Sequence, residues 1–193
     1  MIESETAASS LAQHAQLFDA GAHVVAAAFV DGAPTLALAD GVVLIGDPQQ
    51  QKRVVVYPDA AILTAIGDGK TLLTGGDDGR VVAVRADGGI EDIADEKGRW
   101  IDALALRGKA CAWSAGKQVR ARDESGAIKS WSAPTTARGL AFQPKGFRLA
   151  DAAEILVRLP GDGAVSALAW GAMGSQLLFG LESGAAGLLS LPA

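Results

Sequence analysis

The sequence predicts an all-β fold built from repeated sheets of four antiparallel strands. Its 193 residues include 24 glycines and only 7 prolines, which suits short strands joined by tight turns better than long helices. About half of the residues are apolar (49%) and a fifth are charged (20%), so a packed core is expected rather than disorder. A recurring apolar segment and a recurring order of polarity, described next, complete the prediction.

Five short apolar segments mark the repeat. They are AAAF from Ala26, TAIG from Thr64, ALAL from Ala103, GLAF from Gly139 and ALAW from Ala167. Their starts are separated by 38, 39, 36 and 28 residues. Three of these intervals lie near the period of about 40 residues that is typical of a four-stranded propeller blade.

The polarity within each unit favours blades that stack radially. The first three runs of a unit are almost continuously apolar, as expected for strands that are covered on both faces. The fourth run is mixed, as in QQQKRVVVY, GIEDIADE and AIKSWS, and suits an outer strand in contact with water. Asp92, Asp95 and Glu96 are accordingly expected to form a solvated face. A β-propeller is therefore favoured, and a sandwich or another repeated sheet is the alternative.

The repeat divides the chain into an N-terminal segment, 1–22, and a propeller domain, 23–193. The expected units lie near 23–59, 60–98, 99–135, 136–163 (shortened) and 164–193 (partial). In the shortened unit, Phe147 to Ala150 forms either the second strand or the third, but not both. We expect about five blades, or an incomplete ring that self-associates through its open edge. The segment from Ala15 to Phe18 is the candidate for closing the last blade.

The stretch LLTGGDDGRVVAVRADG, residues 72–88, resembles the second and third strands of a WD-repeat blade. Its turn is Asp78-Gly79, and Asp-Gly between two apolar runs is a strong signal for a tight hairpin. The matching turns of the other units are Asp40-Gly41, Gly116-Lys117 and Ser183-Gly184. The chain thus resembles a bacterial WD-repeat β-propeller protein with degenerate repeats, shorter than a complete seven-bladed member.

This resemblance implies a structural pair and a function. In WD-repeat blades, a histidine entering the first strand often bonds the aspartate of the turn after the second strand. Here His23 and Asp40 hold those positions, and the alternative is two independent surface residues. The resemblance also implies a non-catalytic protein-interaction scaffold. The cytoplasm is the expected location, because the amino terminus MIESETAASS is acidic and no apolar stretch typical of a secretory signal follows it. The alternative function is a propeller hydrolase that acts on a small molecule at the central channel.

The segments that resemble metal-binding or phosphate-binding motifs lack the residue spacing that those motifs require. No EF-hand loop fits around Asp78, because Gly76 and Thr74 stand where ligands are required. Gly69-Lys70-Thr71 lacks the earlier glycine of a phosphate-binding loop and leads into a strand. Cys111 is expected to be a small buried hydrophobic residue. We therefore expect no catalytic residue, metal or cofactor.

The candidate binding residues are Arg99 and Trp100, with Arg138 at the entrance of the next unit. Arginine and tryptophan are enriched at interaction hot spots, and both connections lie between a fourth strand and the next first strand. The alternative is that Trp100 packs between blades and Arg99 is only hydrated. The expected partner is an unidentified protein. No dense cluster of basic residues indicates nucleic acid, and no apolar run reaches the roughly 20 residues of a membrane span.

Overall fold

The computed structural model describes residues 19–47, 49–143, 146–150, 165–170, 176–181 and 186–190. The regular elements of these residues are all β-strands. They are β1 (Val24–Val30), β2 (Ala33–Leu38), β3 (Val42–Ile45), β4 (Lys52–Val55), β5 (Ile62–Gly67), β6 (Thr71–Gly76), β7 (Arg80–Arg85), β8 (Ile90–Asp95), β9 (Ala103–Arg107), β10 (Ala110–Ala115), β11 (Gln118–Arg122), β12 (Ile128–Ser132), β13 (Gly139–Gln143), β14 (Gly146–Ala150), β15 (Val165–Trp170), β16 (Gln176–Leu181) and β17 (Ala186–Ser190).

The described strands form five antiparallel sheets in chain order. Sheet 1 (β1–β4), sheet 2 (β5–β8) and sheet 3 (β9–β12) each contain four strands, paired as successive hairpins. Sheet 4 contains β13 and β14, and sheet 5 contains β15 to β17. The predicted all-β class and the four-stranded antiparallel blade are confirmed.

The first strands of the sheets lie side by side. β1 contacts β5, β5 contacts β9, β9 contacts β13 and β13 contacts β15. The outer strands point away from this inner row, which is the radial arrangement of a propeller. Among the described strands, no contact of similar extent joins sheet 5 to sheet 1. The five described sheets thus follow one another in a row, as expected for a propeller of about five blades or an incomplete ring.

The core lies between neighbouring sheets. One apolar cluster joins sheets 1 and 2 through Val30, Val43 and Leu72, and a second joins sheets 2 and 3 through Leu73 and Trp113. Burial also follows the expected polarity order, because the third sheet's second strand, β10, is buried throughout and its fourth strand, β12, is exposed throughout.

The shortened fourth unit settles one open alternative. β14 pairs with β13, with Gly139 opposite Ala150 and Phe142 opposite Phe147. Phe147 to Ala150 is therefore the second strand of its own unit. The predicted turn at Ser183-Gly184 and the predicted closing segment from Ala15 to Phe18 lie outside the described residues. In the part of the chain that is described, no helix is long and apolar enough to cross a membrane.

Candidate interaction surface on one rim

A repeated backbone contact ties each outgoing connection to the hairpin turn of its own sheet. In sheet 1, the amides of Val56 and Tyr57 donate to the carbonyl of Gly41 at 2.9 and 3.0 Å. In sheet 2, the Glu96 amide donates to Gly79 O at 2.9 Å. In sheet 3, the Ala133 amide donates to Lys117 O at 2.8 Å. The turns between second and third strands therefore lie on the same rim as the connections between sheets.

The turn glycines are required by these close approaches. Gly41 and Gly79 have φ values of 83° and 92°, in the left-handed region that favours glycine. A Cβ atom at Gly41 would lie 2.2 Å from the carbonyl oxygen of Tyr57. A Cβ atom at Gly79 would lie 3.0 Å from the carbonyl oxygen of Arg99. The Asp-Gly turns thus place the next connection directly against the hairpin.

The connection between sheets 2 and 3, residues 96–102, is fixed along its length; we call it the rim connection. The Gly98 amide donates to Asp78 O at 2.8 Å, and the Ile101 amide donates to Gly76 O at 3.2 Å. The Lys97 amide donates to Asp95 Oδ1 at 2.7 Å. Ile101 is 1% exposed and anchors the segment in the core.

Arg99 and Trp100 project from this fixed segment. Trp100 is 66% exposed, so it does not pack between sheets, and Arg99 is exposed as well. Together with Gly98, Asp102 and residues 115–118 they line a groove of about 550 Å³. Asp102 joins the two walls of the groove, because its Oδ2 atom accepts the Gly116 amide at 2.6 Å.

Arg138 occupies the corresponding connection between β12 and β13 and is exposed. It lies outside the set of residues that line the groove. The structure therefore unites Arg99 and Trp100 in one concave surface and places Arg138 on the next connection.

His23 bonds the residue before Asp40 through its backbone, and the described side chains of His23 and Asp40 form no hydrogen bond with each other. The Ala39 amide donates to His23 O at 2.9 Å, which holds the start of β1 beside the turn. The Asp40 carboxylate accepts from the guanidinium of Arg53 at 3.4 Å, and both His23 and Asp40 are exposed. The expected His23–Asp40 side-chain bond is therefore replaced by an Arg53–Asp40 ion pair.

Glu96 corrects the expectation of a solvated acidic face. Asp92 and Asp95 are exposed, but the Glu96 side chain is only 4% exposed. Its Oε1 atom accepts the indole N–H of Trp113 at 2.7 Å and forms an ion pair with Arg120. Glu96 is the first residue of the rim connection, and its side chain thus attaches this segment to sheet 3.

Tyr57 holds the corresponding place between sheets 1 and 2. Its hydroxyl is 3.1 Å from Thr74 Oγ1 and donates to Arg80 O at 3.2 Å. Burial raises the pKa of this phenol far above its ordinary value. A polar side chain just beyond the fourth strand, Tyr57 in sheet 1 and Glu96 in sheet 2, therefore links each of these two sheets to the next.

A second cavity, of about 290 Å³, opens between sheets 2 and 3. It is lined by apolar side chains that include Leu73 and Leu106, by the Cys111 thiol, and by Arg122 and Glu91, which form an ion pair at 3.2 Å. Burial raises the pKa of Cys111 to about 11, so its thiol is protonated at neutral pH and is a poor nucleophile. Among the described residues, no three His, Cys, Asp or Glu side chains are grouped to hold a metal.

Comparisons with known proteins define the class of fold. No protein-family model matches the chain, and no curated protein matches its sequence. Among solved structures, BBS1N in complex with ARL6DN matches with a TM-score of 0.66 at 18% identity, over 92% of this chain and 67% of that chain. The computationally designed Ika8 protein matches with a TM-score of 0.62 at 17% identity, over 87% and 58%. The designed Ika4 protein matches with a TM-score of 0.53 at 15% identity, over 92% and 96%.

These likenesses and the radial sheets define a β-propeller-like repeat protein. The chain spans about two thirds of the BBS1N chain that it resembles and less of the Ika8 chain. At these identities the comparisons concern the fold alone.

Proposed function

We propose that this chain is a non-catalytic protein-interaction scaffold of WD-repeat type, which binds a protein partner through the rim connection. Arg99 and Trp100 form the contact surface, and Arg138 extends it on the next connection. The observation that carries the proposal is the 66% exposure of Trp100 on a backbone segment that is hydrogen-bonded on both sides of it.

The fixed backbone favours binding, because the rim connection loses little conformational entropy when it associates with a partner. Immobilising flexible side chains and loops opposes association, and a tryptophan has few rotatable bonds for its large contact area. Exposed aromatic and arginine side chains beside a groove are the usual composition of a hot spot. The groove beside Trp100 has room for a side chain of the partner.

The charges at the groove favour a partner segment that carries carboxylates. Lys97, Arg99 and Lys117 are exposed here, although the whole chain has a net charge of −5. The nearby carboxylates of Asp95 and Asp102 accept backbone amides of the chain itself. A segment with acidic residues around one apolar side chain would therefore complement both the cations and the indole.

The buried Cys111 thiol is protonated at neutral pH, which argues against nucleophilic catalysis by this residue. Among the propeller-like structures, BBS1N was solved in complex with ARL6DN. The complex with ARL6DN is a fact about BBS1N, and a protein partner for this chain is our proposal.

The test is capture of partners from the native cell extract with matched variants. Immobilised wild-type protein is compared with Arg99→Glu, Trp100→Ala and Arg138→Glu, and with Trp131→Ala as an exposed tryptophan on the outer strand β12. We expect one captured protein that the Arg99 and Trp100 variants lose and the Trp131 variant retains, with unchanged melting temperatures. Equal capture by all variants, or loss of capture only together with loss of stability, would overturn the proposal.

A further inference from the structure

Lys97 adopts a backbone conformation that lysine rarely occupies. Its φ value is 53°, in the left-handed region, where the Cβ atom of an L-residue crowds its own backbone. Eleven of the described residues with positive φ are glycines, and the other non-glycine residue among them is Asp31. Aspartate is enriched in this region, whereas lysine is not. Lys97 is therefore the strained residue of the rim connection.

The hydrogen bonds around Lys97 impose this conformation. The Lys97 amide donates to Asp95 Oδ1 at 2.7 Å. The amides on either side of it donate to the hairpin turn of the same sheet, one to Gly79 O at 2.9 Å and the other to Asp78 O at 2.8 Å. A rotation of Lys97 into the right-handed region would move these amides away from their acceptors. The backbone is therefore left-handed here whichever side chain it carries.

Other residue types would relieve the strain without loss of a contact inside the chain. Glycine occupies the left-handed region freely, and asparagine visits it routinely. The Lys97 side chain is exposed, and among the described residues no hydrogen bond or ion pair uses its ammonium group. A strained residue whose side chain makes no internal contact indicates a function towards another molecule.

Lys97 stands beside the groove of Trp100. It directly precedes Gly98, which lines the groove together with Arg99 on one wall and Lys117 on the other. All three cations are exposed. Positive charge thus lies on both walls of the groove, and two of the three cations belong to the hydrogen-bonded rim connection.

We propose that Lys97 determines the specificity of this groove for an acidic segment of the protein partner. Its ammonium group pairs with a carboxylate of that segment, while a neighbouring apolar side chain of the segment contacts Trp100. The inference rests on the proposed function and adds the residue that selects the charge of the partner. A cation at this position therefore lowers the stability of the free chain and raises its affinity for the partner.

Melting temperature and peptide binding test the two parts of the inference. Lys97→Gly and Lys97→Asn remove both the strain and the charge, so each should melt about 2–4 °C above the wild type. The binding probe is a dye-labelled peptide with one leucine between two runs of glutamate, followed by fluorescence anisotropy. Both variants should bind it about fivefold more weakly than the wild type does, with a shallower dependence on salt. Lys97→Arg keeps the strain and the charge and should match the wild type in both measurements.

Lys109→Asn is the matched control, because it removes an exposed lysine from the turn at the far end of β9. It should leave the affinity for the acidic peptide unchanged. Melting temperatures or peptide affinities of Lys97→Gly and Lys97→Asn that equal those of the wild type would overturn the inference. So would equal binding of the wild type to a second peptide in which glutamine replaces glutamate.

Capture from the native cell extract separates this inference from the proposed function. A protein that Trp100→Ala loses and Lys97→Asn retains would overturn this inference alone. If no captured protein depends on Trp100, the proposed function and this inference both fail.

Discussion

The indole of Trp113 donates a hydrogen bond to the buried carboxylate of Glu96, at 2.7 Å, across the junction between sheets 2 and 3. Arg120 pairs with the same carboxylate. The bond therefore joins the inner strands of sheet 3 to the first residue of the rim connection. We therefore expect this carboxylate to contribute to the stability of the junction between sheets 2 and 3.

Replacing Glu96 should destabilise the protein. Glu96→Ala leaves the buried Trp113 N–H without its acceptor and the partly exposed Arg120 guanidinium without its partner, which should cost about 1–3 kcal/mol. Glu96→Gln should cost less, because its amide oxygen still accepts from Trp113. Urea unfolding measures both, with Glu124→Ala, in an exposed turn, as the control. Equal stabilities of the wild type and Glu96→Ala would contradict the assigned role.

Tyr57 should remain protonated in strongly alkaline solution. It is the only tyrosine of the chain, so ultraviolet absorbance of phenolate follows this residue alone. Burial raises its pKa in the folded state, so the folded protein should show no phenolate until it unfolds. Because the unfolded chain loses the proton at its ordinary pKa near 10, the stability contributed by Tyr57 is complete below that pH and falls above it. Phenolate formation near pH 10 in the folded protein would contradict the structure.

Tyr57→Phe tests the same hydroxyl at neutral pH. The substitution removes the bonds to Thr74 Oγ1 and Arg80 O and should cost about 1–2 kcal/mol of unfolding free energy. The phenyl ring keeps the packing between sheets 1 and 2. A variant as stable as the wild type would indicate that the hydroxyl contributes nothing to this junction.

The Cys111 thiol should react slowly in the folded protein. It is 2% exposed, and its raised pKa of about 11 leaves little thiolate at pH 8. A thiol-specific chromogenic disulfide should therefore modify the native chain much more slowly than the chain in guanidinium chloride. The denatured sample should show one thiol per chain, which calibrates the assay. Rapid modification of the native protein would contradict the buried position.

Gly69 and Gly79 have similar backbone conformations, so alanine substitutions at these two positions distinguish the cost of backbone strain from the cost of steric crowding. Gly69 and Gly79 have φ values of 91° and 92°, but a Cβ atom at Gly69 meets nothing within 4 Å, whereas one at Gly79 contacts the backbone of Gly98 and Arg99. Gly69→Ala should cost about 1–2 kcal/mol from the left-handed backbone alone. Gly79→Ala should cost more and should displace the rim connection. Equal losses in thermal unfolding would show that the close approach is unimportant.

The sequence predicted the sheets because turn chemistry and period act locally. Asp78-Gly79 sets a hairpin without reference to the rest of the chain, and apolar runs at regular spacing define which strands are covered. The same reasoning could not place Glu96, because its burial depends on Trp113, a residue of the next sheet. A carboxylate after a polar strand has the same local pattern whether it faces water or an indole.

The site was predicted in part for the same reason. Arg99 and Trp100 were identified by residue type and by their place between two units, and the structure shows them beside one groove. The opposite wall, which includes Lys117, comes from the following hairpin and has no signal near Arg99 in the sequence. His23 and Asp40 were paired by resemblance, but Arg53, on the adjacent outer strand, reaches the carboxylate instead.

The central claim is that Trp100 is the contact point for a protein partner, and fluorine NMR tests it most directly. Incorporation of 5-fluorotryptophan gives one signal for each of the four tryptophans, and Trp100→Phe identifies the signal of Trp100. On addition of the partner purified by capture, the Trp100 signal should shift or broaden, while the signals of buried Trp113 and outer-strand Trp131 should stay in place. An unchanged Trp100 signal at a partner concentration that saturates binding would contradict the account.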